Sequence, residues 1–363
     1  MRRIVIDARE LTTSSGRYVE RLLRYLQELD REHNYALLLK PADIGGWQAT
    51  NPNFEKLACP YKEFTFGEQL GLWRQVRGLR PALVHFTFPQ QPILYHGKTV
   101  TTVHDLTTLR FSNPDKNPLV FKFKQRVYGL VIKRAARKSA RVIAPSRFVA
   151  DDVARFTGVS PDKITVTYEA AEAITDTARP VPGLEGKQFI MYVGRPTPHK
   201  NLERLVEAYG RLKAQHPDLV LVLAGKQDAN YRRLEASVQK ANIRGVVFAG
   251  FVAEGQLRWL YEHCAAYVFP SLSEGFGLPG LEAMAHGAPV VSSNATCLPE
   301  VYGDAAHYFD PLDTGGMVGA INEVLTDKVL RSELAGKGRA QAAKYSWQRL
   351  AEQTLAVYKD AGL

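Results

Sequence analysis

Cysteine is scarce: Cys59, Cys264 and Cys297 are the only three in 363 residues. An odd and widely spaced set fits neither a disulfide framework nor the paired spacing of a zinc site, so a reducing cytoplasm is the expected setting. No apolar run approaches the roughly eighteen residues needed to cross a bilayer, which leaves a soluble protein as the expectation. The basic start Met1-Arg2-Arg3-Ile4-Val5-Ile6 is cut off by Asp7, Arg9 and Glu10, and reads as a first strand rather than a signal peptide. Two nucleotide-handling signatures are missing as well. Without G-x-x-x-x-G-K-[ST], a P-loop kinase or ATPase is disfavoured. Without Asp-x-Asp there is no obvious holder for a divalent metal against a diphosphate, so neither a metal nor another cofactor is expected. Acids are in deficit, with 37 Asp and Glu against 47 Lys and Arg and a formal charge of +10. That charge implies attraction to a polyanion, which could be nucleotide phosphates, nucleic acid or an anionic membrane. No nucleic-acid-reading motif accompanies it, so no nucleic-acid partner is expected.

What is present is globular: 45% apolar and 23% charged residues, in a chain long enough for two hydrophobic cores. Short Val- and Ile-rich runs at Ile4–Asp7, Ala36–Leu39, Leu83–Phe86, Thr99–Val103 and Arg141–Ala144 alternate with helical patterns. That alternation predicts βαβ units and a parallel sheet. A Pro-, Gly- and Thr-containing stretch without periodicity follows, and a second series begins with Phe189–Val193, Leu219–Ala224, Val246–Phe248, Ala266–Phe269 and Pro289–Ser292. The expected division is therefore a first domain over 1–171, a linker over 172–187, a second domain over 188–345 and a closing helix over 346–363, with Ser346 as its N-cap. Two doubly wound α/β domains would bind a ligand in a cleft outside the carboxyl ends of their strands.

Three constellations carry chemistry. The first is Pro270-Ser-Leu-Ser-Glu274-Gly-Phe276-Gly277-Leu278-Pro279-Gly-Leu-Glu282, running on to Gly287. Pro279 suits a first helical turn, and glycines before a helix N-terminus suit a phosphate. The carboxylates of Glu274 and Glu282 would repel phosphate and are better suited to accept from hydroxyls of a sugar and a ribose. The same stretch holds a literal G-x-G-x-x-G at Gly275, Gly277 and Gly280 with Glu300 beyond, the dinucleotide pattern of dehydrogenases. It lies late in the second series and not in an opening βα turn, which disfavours that reading. The second constellation is Gly194-Arg195-Pro-Thr-Pro-His199-Lys200-Asn201, where Arg as a bidentate fork and Lys as a point charge suit a diphosphate. The third is Val103-His104-Asp105, where a strand of the first half ends in a histidine.

Taken together and in order, these elements resemble the family 4 glycosyltransferases, a retaining family of the GT-B fold. Glu274 and Glu282 match its Glu-x7-Glu element, Gly194, Arg195, Lys200 and Asn201 its Gly-Arg…Lys-Asn element, and Leu298 to Ala306 its downstream helix. The resemblance implies a nucleotide-sugar donor whose diphosphate is bound by Arg195 and Lys200. It further implies that Glu274 contacts the donor sugar, that Glu282 holds the ribose hydroxyls, and that the backbone at Phe276, Gly277 and Leu278 approaches phosphates and sugar. His104 would meet the sugar from the opposite domain. Ser14-Ser15-Gly16-Arg17-Tyr18 matches the family's N-terminal glycine-rich loop only in part, and Gly16 alone is carried over as a donor-binding residue. Val166 to Ala171 lacks the usual Pro-Asn-Gly, as in a subgroup of bacterial polysaccharide mannosyltransferases. The implied reaction is transfer of a hexose, first choice mannose from GDP-mannose and second a UDP-sugar, to a glycan or lipid-linked acceptor with retention and without metal. Another GT-B enzyme, such as a phosphorylase or epimerase, or a non-catalytic sugar-nucleotide binder, is the alternative.

Residues 116–141 contain Lys116, Lys122, Lys124, Arg126, Lys133, Arg134, Arg137, Lys138 and Arg141 without an acid, interleaved with Leu119, Val120, Phe121, Phe123, Val127, Tyr128, Leu130, Val131 and Ile132. Two readings stand: a helix whose apolar stripe packs on the first sheet, or a surface resting on an anionic membrane at the inner face of the plasma membrane.

Overall fold

In the computed structural model, which describes residues 1–13, 16–112 and 117–363, the Val- and Ile-rich runs become parallel strands of two separate sheets. The chain divides into two units, Met1–Glu169 with Ser346–Leu363, and Ala170–Tyr345. Ser14 and Lys116, both singled out in the sequence, lie outside the described residues.

The first unit is built on β1 (Arg3–Asp7), β2 (Asn34–Leu39), β3 (Phe54–Ala58), β4 (Leu83–Phe86), β5 (Thr99–Thr102), β6 (Arg141–Ala144) and β7 (Ile164–Val166), in the order β3-β2-β1-β4-β5-β6-β7. Central strands are largely buried because helices cover both faces of a parallel sheet: Ile4, Val5 and Ile6 of β1 are fully buried, and so are the polar His85 of β4 and Thr99, Thr101 and Thr102 of β5. The last helix, Trp347–Asp360, belongs to this unit. Ser346 caps it by accepting from the Arg349 N–H, and it buries Leu350, Val357 and Tyr358. The Tyr358 hydroxyl lies 2.7 Å from Nδ1 of the buried His85, tying the chain's end to β4.

The second unit is built on β8 (Phe189–Val193), β9 (Val220–Ala224), β10 (Val246–Gly250), β11 (Ala266–Phe269), β12 (Val290–Ser293) and β13 (Ala306–Phe309), in the order β10-β9-β8-β11-β12-β13. The chain winds outward from β8 to β10, then returns to β11 and winds the other way. The order reverses between β8 and β11, and the loops leaving the carboxyl ends of those two strands flank the point where doubly wound sheets bind ligands.

Two expectations are corrected. Leu298 to Ala306 is not one helix: Leu298–Tyr302 is followed by a 3-10 turn, Gly303–Ala305, and Ala306 already begins β13. Nor does all of the basic segment's apolar set pack on the first sheet, although Ile132 does, in one core with Val103 and Val142. The helix Pro118–Lys138 buries Gly129, Ile132, Ala135 and Ala136, whereas Leu119, Val120, Phe123, Val127 and Leu130 face solvent.

Candidate functional site

The loops after β8 and β11 are knitted together from both sides. Asn201 sits in the left-handed region at φ 59°, a conformation asparagine tolerates, and its side-chain amide donates to the carbonyls of Pro270 and Pro311 at 3.1 and 2.8 Å. The Leu272 N–H donates to the His199 carbonyl at 2.7 Å. These bonds hold the 3-10 turn Pro198–Lys200 against the start of the Glu274 loop.

That framework brings two predicted residues into contact. Lys200 Nζ donates to Glu274 Oε1 at 2.6 Å, with side-chain exposures of only 18% and 11%, and the same ammonium stands 5.6 Å from the centre of the Phe269 ring. Glu274 is itself fixed: its N–H donates to Thr296 Oγ1 at 3.1 Å, and the Cys297 thiol lies 3.3 Å from its carbonyl oxygen. Burial, with the Glu274 carboxylate nearby, pushes that thiol's pKa well up, so Cys297 is held neutral and unreactive. Arg195 has a different partner. Its guanidinium donates to Asp228 Oδ2 through Nε at 3.1 Å and Nη2 at 2.8 Å, while its side chain remains 52% exposed. Asp228 also caps the helix Ala229–Lys240 by accepting from the Tyr231 N–H.

The helix Leu278–Ala285 starts at Gly277, at φ 93°, with Pro279 in its first turn. Pro279 has no N–H and those of Gly280 and Leu281 donate to the Gly277 carbonyl at 3.2 and 3.4 Å, which leaves the Leu278 N–H, at the positive end of the helix, without a partner inside it and suited to an anion. The glycines here answer first to a neighbour. A Cβ on Gly277 or Gly280 would fall 2.5 or 2.3 Å from the Tyr302 hydroxyl, which donates to the Gly277 carbonyl at 2.5 Å. The literal G-x-G-x-x-G is thus, at two of its glycines, a seat for a buried tyrosine. It follows β11, the fourth strand of its unit, and not the opening strand β8. At the opening turn, Gly194 (φ 144°) and Gly225 (φ 157°) come together so closely that a Cβ on Gly225 would meet the Gly194 carbonyl oxygen at 2.3 Å. Phe276 is buried with its ring edge-on to Tyr345 at 5.5 Å, so its backbone rather than its side chain is what the loop offers. Glu282 is nearly buried inside this helix, with the Tyr261 hydroxyl 3.5 Å from Oε2.

In the first unit, His104 directly follows Val103 at the end of β5. Its ring lies between Tyr18, edge-on at 4.7 Å, and Phe88 at 4.6 Å, with Nε2 3.0 Å from the Thr87 carbonyl oxygen and Nδ1 3.4 Å from Glu169 Oε1. Both neighbours are acceptors, so a neutral ring, with one N–H, can donate to only one of them. Gly16 opens the helix Gly16–Leu29, donates its N–H to Thr13, and could carry no Cβ, which would fall 2.0 Å from the Leu11 carbonyl oxygen. Four partners escaped the sequence: Asp228, Thr296, Tyr302 and Glu169. Only Asp228 left a signal there, as an N-cap type before a helical pattern.

Comparison with known proteins covers most of the chain. The family described as glycosyl transferases group 1 matches residues 175–341, and that described as glycosyltransferase family 4 matches residues 15–172. The O-antigen chain mannosyltransferase B of Escherichia coli is 31% identical over 292 residues, 73% of this chain and 74% of that protein. The serotype-specific mannosyltransferase WbdA of Escherichia coli is 32% identical over 269 residues, and there the match spans 70% of this chain but only 32% of the relative. Anabaena Alr3699/HepE, solved in complex with UDP and glucose, superposes with a TM-score of 0.75 over 99% of both chains at 17% identity, a likeness of fold alone.

Proposed function

This chain belongs to the family 4 glycosyltransferases of GT-B fold, and we propose that it transfers mannose from GDP-mannose to a hydroxyl of a glycan or lipid-linked acceptor in cell-surface polysaccharide synthesis, with retention at the anomeric carbon. The observation that carries the donor site is the Lys200–Glu274 pair, held at the reversal point of the second sheet beside the start of the helix Leu278–Ala285. The choice of mannose rests on the names of the two Escherichia coli relatives; a UDP-sugar is the second choice.

Breaking a sugar–diphosphate bond builds negative charge on the leaving phosphate. Lys200, Arg195 and the Leu278 N–H at the start of the helix Leu278–Ala285 would stabilise that charge without a metal. Lys200 would then exchange a carboxylate for a phosphate oxygen, which releases Glu274 to accept from a sugar hydroxyl. Glu282, fixed within its helix, would accept from the ribose hydroxyls, and Gly194 and Gly16 would allow the donor close approach to the backbone. His104 would contact the sugar.

A donor screen tests the reading. GDP should raise the melting midpoint more than UDP, NAD or an oligonucleotide, because a ligand at a hundred times its Kd stabilises by about 2.7 kcal/mol. Hydrolysis or transfer from GDP-mannose should persist in excess chelator, and NMR of the product should show the donor's anomeric configuration. A strict manganese or magnesium requirement, or an inverted linkage, overturns the corresponding part.

A further inference from the structure

The first unit carries a face that neither the packing of its sheet nor the donor chemistry uses. Leu119, Phe123, Val127 and Leu130 recur at three- and four-residue spacings, so they form one stripe of the helix Pro118–Lys138, and all of them are solvent-exposed. Sequence-distant loops add exposed apolar side chains beside the helix. Phe64, Phe66, Leu70 and Leu94 are also exposed; the Phe64 ring meets Tyr128 of the helix at 5.6 Å, and Arg134 Nε of the helix donates to the Ile93 carbonyl at 3.0 Å. Phe64 is held outward in the left-handed region, at φ 61°, by its N–H bond to Glu68 Oε2 at 2.9 Å. Glu68 is in turn anchored by the buried Arg9 at 2.9 Å. A bulky residue in that conformation is strained, and a buried ion pair is what keeps it there.

Charge selects the occupant. Residues 117–141 contain no Asp or Glu. Among the described residues, Lys122, Lys124 and Arg126 have no carboxylate partner. A groove of about 540 Å³ beside the stripe has Lys122, Arg126 and Lys133 on its rim and Leu109, Leu130 and Phe156 in its lining. Lys133 Nζ stands 4.8 Å from the centre of the Phe156 ring. An apolar stripe bordered by unpaired bases matches a surface that is itself apolar below and anionic above. A nucleic acid, or an acidic protein surface without apolar side chains, would satisfy the bases and leave the stripe wet. No helix among the described residues is long and apolar enough to cross a membrane, so such a contact would be peripheral.

We propose that this face, the helix Pro118–Lys138 with the loops at Phe64–Phe66 and Leu94, docks on an anionic phospholipid bilayer, with headgroup phosphates at Lys122, Arg126 and Lys133. The proposal is independent of which donor the enzyme uses. The test is co-sedimentation of the purified protein with phosphatidylcholine vesicles, with and without phosphatidylglycerol, at low and high salt. Wild type should bind only the anionic vesicles, and less at high salt. A K122E/K124E/R126E variant should partition on the order of a hundred-fold more weakly. A Phe66→Ser/Phe123→Ser variant should lose binding without change in melting midpoint or donor hydrolysis. Emission of a Phe66→Trp variant should shift to the blue with anionic vesicles. Failure of wild type to bind at low salt, equal binding to neutral vesicles, or full binding by the charge-reversed variant overturns the proposal. So does a stable dimer in light scattering that Phe123→Ser abolishes, which would give this face to a second copy of the chain.

Discussion

Lys200 and Glu274 stand 74 residues apart in the chain and 2.6 Å apart in the fold. Under the proposed function, one supplies the charge for a diphosphate and the other would hold that charge until a diphosphate arrives. Because each is the other's partner, their substitutions should not add. Lys200→Ala is expected to lower kcat/KM by about 10²- to 10³-fold, as loss of one preorganised charge does. Lys200→Ala combined with Glu274→Gln should lose more than the product of the two single losses, because in each single variant the pair that donor binding would break is already absent. Simply multiplicative losses in a double-mutant cycle would show that donor binding leaves the pair intact.

Arg195 and Asp228 make a looser arrangement, with the arginine half-exposed, so their pair should add well under about 1 kcal/mol to stability. Asp228→Asn keeps an acceptor for the Tyr231 N–H and frees the guanidinium. Its melting midpoint should stay close to wild type and donor affinity should hold or improve, whereas Arg195→Ala should slow transfer. Binding titration of the nucleoside diphosphate distinguishes them. A large loss of affinity in Asp228→Asn would mean that the carboxylate positions Arg195 for the ligand.

Gly280→Ala is expected to destabilise by about 1–3 kcal/mol, the usual cost of an extra methyl in a packed core. Its Cβ would sit 2.3 Å from the hydroxyl of the buried Tyr302, which has no space to retreat. Displacing Tyr302 would also disturb the bond that fixes Gly277, so nucleotide affinity should fall with the melting midpoint. Urea unfolding with and without nucleotide measures both. Unchanged stability would show that Tyr302 moves freely.

His85 makes stability pH-dependent. Burial, with His104 nearby, lowers its pKa from 6.5 to about 3, and it is held between the Tyr358 and Thr102 hydroxyls at 2.7 and 2.9 Å. Between those two pH values the unfolded chain binds a proton that the folded one does not. The stabilising contribution is therefore complete above about pH 6.5 and declines as pH falls toward 3. The slope is about 1.4 kcal/mol per pH unit for one proton. Calorimetry from pH 7 to 4.5 should show a falling midpoint for wild type and a shallower fall for His85→Gln. Parallel slopes would place the acid sensitivity elsewhere.

Much of this was present in the linear sequence. The central strands are legible because a strand covered on both faces is built mostly of apolar and β-branched residues, and Ser346 is legible as a cap because capping is a local bond. The order of Gly194-Arg195, Lys200-Asn201, Glu274 and Glu282 likewise sufficed to identify the family. Three strands were not legible, β3, β7 and β13, and all three lie at sheet edges, where half-exposed positions break the apolar run. Tertiary structure alone decided the partners: Lys200 with Glu274, Arg195 with Asp228, His104 with Glu169, and Tyr302 against Gly277 and Gly280. It also decided the fate of the stripe Leu119, Phe123, Val127 and Leu130. Periodicity records which side chains share a face of a helix and carries no information about what covers that face; only the packing of distant segments shows that this one is left uncovered.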